Sequence, residues 1–288
     1  MKKAMYWNTA DNGSTRCGLC PHRCAIAENA AGLCGARENR DGELIAVGYG
    51  SVSSAALDPI EKKPLYMFHP GKRILSIGGY GCNLRCPFCQ NYEISTVYAG
   101  NNVARDPATM PGEVAALALR TVPEGNIGVA YTYNEPFIGY EFLYDCAELV
   151  HNSGLFNVVV TNGYINADPL ENLLPLIDAM NIDLKCFTGS YYKKLGGGLE
   201  TVKDTITIAY GQCHVEVTTL VIPGENEDDI EEIAKWLSSI DPNIPLHLSR
   251  FFPRYRYSQR APTSRETIYK LREIAKQYLE NVFAGNMR

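Results

Sequence analysis

From residue 73 onward the chain alternates short apolar runs with longer amphipathic ones, and this limits its architecture more than any other feature. Residues 74–77, 127–133, 157–161, 180–185, 215–222 and 245–249 read as strands bounded by turn residues. Residues 111–121, 138–152, 169–177, 199–210 and 228–240 carry apolar positions at helical spacing, and a last helix is expected over 263–283. Repeated strand–helix units of this length call for parallel strands joined by right-handed crossovers. Six such units are too few to close an ordinary eight-stranded barrel. Periodicity by itself fits an open barrel and a doubly wound sheet equally.

Directly after the first strand comes Cys82-Asn-Leu-Arg-Cys86-Pro-Phe-Cys89. Three thiolates on one loop can hold three irons of a cubane, whereas an electron-carrying [4Fe–4S] site takes four cysteines. One iron is then left open to a ligand that is not protein. A zinc site would instead draw on paired knuckles with a fourth ligand. The motif, with Phe88 before its last cysteine, resembles the signature of the radical S-adenosylmethionine (SAM) enzymes. Gln90-Asn91-Tyr92 and the upstream Pro59-Ile-Glu-Lys-Lys-Pro64-Leu65 are similar to the branch of pyruvate formate-lyase activating enzymes and, within it, to the radical SAM members of the AmmeMemoRadiSam system. The likeness runs from about Arg16 to about Tyr255.

The resemblance implies an α/β fold, a partial (β/α)6 TIM-like barrel carrying a small cysteine-containing amino-terminal lobe. It implies a [4Fe–4S] cluster on Cys82, Cys86 and Cys89, and reductive cleavage of SAM to a 5′-deoxyadenosyl radical that abstracts hydrogen. A glycyl radical protein is one candidate substrate; another peptide or a small metabolite is the alternative. From a different class, a non-catalytic iron–sulfur electron carrier remains open, although a carrier gains nothing from an unliganded iron. Reduced flavodoxin or ferredoxin would be the electron donor.

Chemistry in parallel barrels collects at the carboxyl ends of strands, which makes those ends the place to look for binding residues. Strand two ends in Tyr133-Asn134-Glu135, where many radical SAM enzymes carry a Gly-Gly-Glu-type segment for the methionyl ammonium. Local helix capping by Asn134 and Glu135 is the competing reading. Strand three ends in Thr161-Asn162-Gly163, which fits either hydrogen bonding to SAM or plain turn chemistry. On strand four, alternation puts Asn181, Asp183 and Lys185 on one face. The resemblance makes Asp183 and Lys185 SAM ligands; a self-contained ion pair is the alternative. Phe88 and His247 complete the expected SAM set, with Val221 and Ile222 as an apolar wall for adenine.

Residues 1–72 read as a separate, loop-rich lobe, 73–255 as the barrel, and 256–288 as a helix packed on it. The lobe centres on Cys17-Gly-Leu-Cys20-Pro-His22-Arg-Cys24, with Cys34 further on. Those spacings suit a tetrahedral zinc, with His22 as a substitute ligand, or a second iron–sulfur cluster; reduced thiols without metal are the third option. Seven of the ten cysteines lie in these two groups, a clustering that in a reducing compartment points to metal or catalysis, not cross-links. Residues 1–72 carry 9 Lys+Arg against 7 Asp+Glu (+2) and the remainder 18 against 25 (−7), so no basic field suggests nucleic acid. Without a signal-like or membrane-spanning apolar run, a cytoplasmic protein is expected, with no membrane partner.

Overall fold

The computed structural model describes residues 1–98 and 108–287. Eight strands form one sheet: β7 (Ser54–Pro59), β8 (Arg73–Gly78), β9 (Asn126–Tyr131), β10 (Phe156–Thr161), β11 (Ala179–Asp183), β12 (His214–Val221), β13 (Leu246–Arg250) and β14 (Val282–Gly285). They lie side by side in that order, β8 to β14 all parallel and β7 antiparallel on the β8 edge. Both faces of the central strands are buried, as Val158, Val159, Ile182 and Val217 show, and near-continuous β-branched runs are what such strands require.

The chain connects these strands through α1 (Tyr92–Ser95), α2 (Pro111–Arg120), α3 (Tyr140–Asn152), α4 (Ala167–Leu173), α5 (Gly189–Lys194), α6 (Leu199–Tyr210), α7 (Ile230–Ile240) and α8 (Arg265–Ala275). In α7 the buried residues Ile230, Ile233, Ala234 and Leu237 recur at i, i+3, i+4 and i+7, one stripe facing the sheet. Burying each of the larger ones contributes roughly 1.5–3 kcal/mol. The α8 helix starts where the Ser264 hydroxyl accepts from the Thr267 amide at 2.9 Å. This is the α/β open barrel, with all six expected strands in place.

The sheet also extends at both edges. Residues 263–283 are not one helix: α8 stops at Ala275, and β14 adds a seventh parallel strand beside β13. Glu280 donates its amide to the Pro242 carbonyl, and Leu246 donates to Asn281, so the chain is turned out of the helix before Val282. At the other edge, residues 54–59 pair with β8 and thus belong to the sheet although they precede residue 73.

The segment between β7 and β8 crosses the barrel from within. Ile60 and Leu65 are fully buried and pack with Ile74, Ala130, Val158 and Ala179. Tyr66 and Met67 donate their amides to Glu216 (2.9 and 2.8 Å), and Asn181 donates to the Pro64 carbonyl at 2.8 Å. Lys62 and Lys63 both pair with Asp58 at 2.9 Å, Lys63 from a buried position. The run Ile60–Pro64 is thus the start of a barrel floor, with Lys62 alone of these residues largely exposed.

The amino-terminal lobe is two small antiparallel sheets, one of β1 (Lys2–Lys3), β6 (Glu43–Ala46) and β5 (Arg37–Arg40), the other of β2 (Trp7–Thr9), β3 (Thr15–Cys17) and β4 (Ala25–Ile26). Among the described residues no helix is long and apolar enough to cross a membrane.

Candidate active site

The cysteine loop leaves the carboxyl end of β8, and a single side chain fixes its departure. Asn134 accepts from the Gly79 amide at 2.9 Å and donates to the Gly81 carbonyl at 3.1 Å, tying the β9 end to the start of the loop. Gly81 has φ +85°, and a Cβ there would stand 2.3 Å from the Cys34 carbonyl oxygen, so only glycine lets lobe and loop touch. The Leu84 amide points at the Cys82 sulfur (3.4 Å), and Cys89 donates its amide to the Cys86 carbonyl in a tight turn. Arg85 caps the Cys82 carbonyl at 2.6 Å and also reaches Leu33 in the lobe. Leu84 and Phe88 are buried, the Phe88 ring centred 6.1 Å from Tyr257. Cys82, Cys86 and Cys89 line one cavity together with Tyr255 and Arg256.

The ends of β10 and β11 bring polar groups to these thiols. Asn162 donates to the Asn83 side chain at 2.9 Å and lies 3.6 Å from the Cys82 sulfur. Lys185 pairs with Asp183 at 2.9 Å; burial opposes its charge, but Asp183 and Cys86 more than offset that and hold its pKa above the ordinary value. Burial pushes the Cys86 thiol up to about 11, with Lys185 pulling the other way, and raises Cys82 further. Thiols so placed stay protonated until a metal displaces the proton.

Glu135 is buried, and its carboxylate is already engaged. It accepts from the Phe137 amide (3.0 Å), the Thr161 hydroxyl (2.7 Å) and the Asn162 amide (2.8 Å). Burial lifts its pKa to about 7 against the pull of those donors. The capping reading of Glu135 therefore describes its geometry, extended by a link that clamps the β9 end to the β10 end. Thr161 is the other half of that link.

His247 stands apart from this group. Its Nε2 lies 2.6 Å from Glu216, and its ring packs on Tyr66 and Phe283 with centroids 4.7 and 5.2 Å away. The structure spends it on the barrel floor, because the β12–β13 pairing sets it beside Glu216, which also takes the Tyr66 and Met67 amides. His22 gives its Nε2 to the Asn83 carbonyl (2.8 Å), which braces the cysteine loop from the lobe.

One contributor acts otherwise than its place in the cysteine motif suggests, and another escapes the sequence reading. Asn83 is inside the cysteine motif yet donates away from it, to the Tyr164 carbonyl at 2.7 Å. Residues 252–257 clasp the loop from β13: the Arg256 amide donates to the Pro87 carbonyl (3.0 Å), Gln90 to the Phe252 carbonyl (3.1 Å), and Tyr92 stacks on Tyr255 at 4.6 Å. The alternation Phe252-Pro-Arg-Tyr-Arg-Tyr257 was the available signal, an aromatic and basic run at a strand's carboxyl end.

A family model described as the radical SAM superfamily matches residues 76–237. An uncharacterized protein of Methanocaldococcus jannaschii is 41% identical over 293 residues, covering 100% of this chain and 86% of that one. The pyruvate formate-lyase-activating enzyme of Clostridium pasteurianum is 27% identical over 179 residues, 58% of this chain and 72% of its own. Among solved structures, Streptococcus suis SuiB bound to its precursor peptide SuiA shares the fold with a TM-score of 0.53 at 15% identity, over 72% of this chain and 47% of SuiB.

Proposed function

This chain belongs to the radical SAM superfamily, and from that premise we propose that it is an enzyme which cleaves SAM reductively and directs the resulting hydrogen abstraction at a peptide or protein. The observation that carries the reading is the convergence of three thiols of one loop on a cavity flanked by Asn162 and the Asp183–Lys185 pair. Membership implies a [4Fe–4S] cluster and SAM. The donor set fits them. One loop offers three sulfurs, which a cubane takes on three different irons, leaving the fourth for SAM. When bound, the cluster and SAM supply one-electron cleavage of a carbon–sulfur bond and hydrogen abstraction by the fragment released.

The protein's own residues then hold, orient and exclude. Asn162 offers an amide N–H at the Cys82 end of the cavity, and Lys185 supplies a buried positive charge where thiolates and a methionyl carboxylate would gather. Asp183, whose side chain is 38% exposed, keeps room to accept from an ammonium while pairing with Lys185. Glu135 and Thr161 act one layer below, keeping Asn162 in place. Asn134 does the same for the loop's first residues. Val221, Ile222 and Phe88 are buried and pack beneath the site as apolar support. Excluding water protects a reactive fragment from quenching.

Two similarities support a peptidyl substrate: the activating enzyme, named for acting on another enzyme, and SuiB with its peptide. Formation of a glycyl radical on a protein partner is the specific form we favour, with reduced flavodoxin or ferredoxin as electron source. Anaerobic reconstitution with iron, sulfide and SAM, followed by dithionite, tests the reading. The expected product is 5′-deoxyadenosine with methionine, abolished in Cys86→Ala. Reversible redox cycling with SAM left intact would instead make this an electron carrier and overturn the proposal.

A further inference from the structure

The amino-terminal lobe gathers the other four clustered cysteines. Cys17 ends β3, Cys20 and Cys24 sit in the turn leading to β4, and Cys34 lies in the turn before β5. Although they come from a strand end and two separate turns, all four line one cavity with Arg37. The backbone is set for sulfur ligands. The backbone amides of His22 and Ala36 lie near the Cys20 and Cys34 sulfurs, each from two residues onward, the spacing of a metal-binding knuckle. Arg23 precedes Cys24 at φ 44° and Gly35 follows Cys34 at φ 73°, the left-handed turns that fold such knuckles back.

The polar groups beside them are paired but not fully satisfied. The Arg37 side chain is 1% exposed and lies 3.7 Å from the Cys17 sulfur through its Nη1. It pairs with the equally buried Glu141, yet Arg37 Nε and Glu141 Oε2 have no hydrogen-bond partner among the described residues. Buried polar atoms left without partners beside neutral thiols are costly. Beside four thiolates on a metal, a centre of net negative charge, the Arg37 guanidinium becomes a counterion.

We propose that Cys17, Cys20, Cys24 and Cys34 hold a tetrathiolate metal centre, distinct from the Cys82 loop, with Arg37 as its buried counter-charge. Its role is structural. The lobe's strands are two to four residues long, too short to bury much of a core, and a metal staple is what such a small unit needs. The centre also stiffens the radical SAM site, because the knuckle residues reach it directly. His22 holds the Asn83 carbonyl, Asn166 donates its amide to Leu19 and its side chain to Gly18, and Arg85 reaches Leu33. No three His, Cys, Asp or Glu side chains among the described residues are already placed to hold one ion. Zinc would have to draw the sulfurs inward, whereas a cubane, whose ligands bind different irons, would span them.

Metal and sulfide analysis of the full chain carrying Cys82→Ala, Cys86→Ala and Cys89→Ala, purified anaerobically, isolates this centre from the other. The expected result is about one zinc, or about four irons with four sulfides, retained per chain. X-ray absorption should show sulfur neighbours at about 2.3 Å, which tests the ligands without further mutation. Adding Cys20→Ser and Cys34→Ser should cut the retained metal at least about tenfold. A triple variant that is folded by circular dichroism but retains neither zinc nor iron overturns the proposal. So does a metal ringed by nitrogen and oxygen. Since the readout is metal content, it stands or falls separately from 5′-deoxyadenosine formation in the wild type.

Discussion

Lys185 is the residue on which charge at the mouth depends. It is the buried cation facing Cys86, and Asp183 holds it there. Replacing it by methionine keeps the length and removes the charge. SAM affinity is expected to fall about ten- to hundredfold, the worth of a buried charge-assisted hydrogen bond, with iron content unchanged. Equilibrium binding on reconstituted enzyme checks this, and equal affinity in Lys185→Met would remove Lys185 from the SAM set. Gly81 makes a second, purely steric test. With φ +85° and a Cβ position 2.3 Å from the Cys34 carbonyl oxygen, Gly81→Ala should destabilise by about 1–3 kcal/mol, read as a lower melting temperature. Which polar residues come near the cysteines was legible where the sequence places them at strand ends, as with Asn162, Asp183 and Lys185. What each does there was not legible, since Glu135 and His247 are the same residue types spent on internal bonds.

Among the elements, the floor segment is held chiefly by one carboxylate. Burial raises the Glu216 pKa, but donors from His214, His247 and the Tyr66 amide win, and it falls to about 2 from 4.5. A carboxylate depressed in the folded state binds fewer protons there than in the unfolded chain below pH 4.5. Its contribution is therefore present above about pH 4.5 and lost as pH falls toward 2. Glu216→Gln should lower stability at pH 7 by about 2–4 kcal/mol and flatten the acid limb of the denaturation profile across that window. A variant with the wild-type acid limb would show that another group carries it. The floor was hidden in the sequence because Pro59 and Pro64 bracket charged residues, a pattern that usually means a solvated turn. Strand β14 was hidden for a different reason. Val282-Phe-Ala-Gly285 is short and poor in β-branched residues, so helical periodicity upstream ran over it. Deleting the chain from Tyr278 onward should expose the β13 edge and the Leu246 amide, giving aggregation measurable by light scattering.

For the molecule as a whole, the lobe and barrel are joined by a buried ion pair, Arg37 with Glu141 of α3. Because the proposed tetrathiolate centre would itself neutralise Arg37, Glu141→Leu should cost about 3–5 kcal/mol in denaturant unfolding of protein stripped of metal, much more than a surface pair. A change below 1 kcal/mol would mean that something else neutralises Arg37. The amino-acid sequence by itself determined the local things: the six central strands and the helices between them, where chemistry can sit along a parallel sheet, and a three-cysteine loop that the family reads as leaving one iron open. The strands, the helices and the three-cysteine spacing follow from periodicity and spacing, which short segments carry in themselves; the open iron follows from what the family implies. The tertiary structure alone decided which polar side chains remain available for a ligand, that residues 60–67 floor the barrel, and that the lobe braces the cysteine loop. Those depend on partners more than sixty residues away, such as Glu216 for Tyr66, Glu141 for Arg37 and Asn83 for His22, and no local pattern encodes which distant group reaches a hydrogen-bonding atom first.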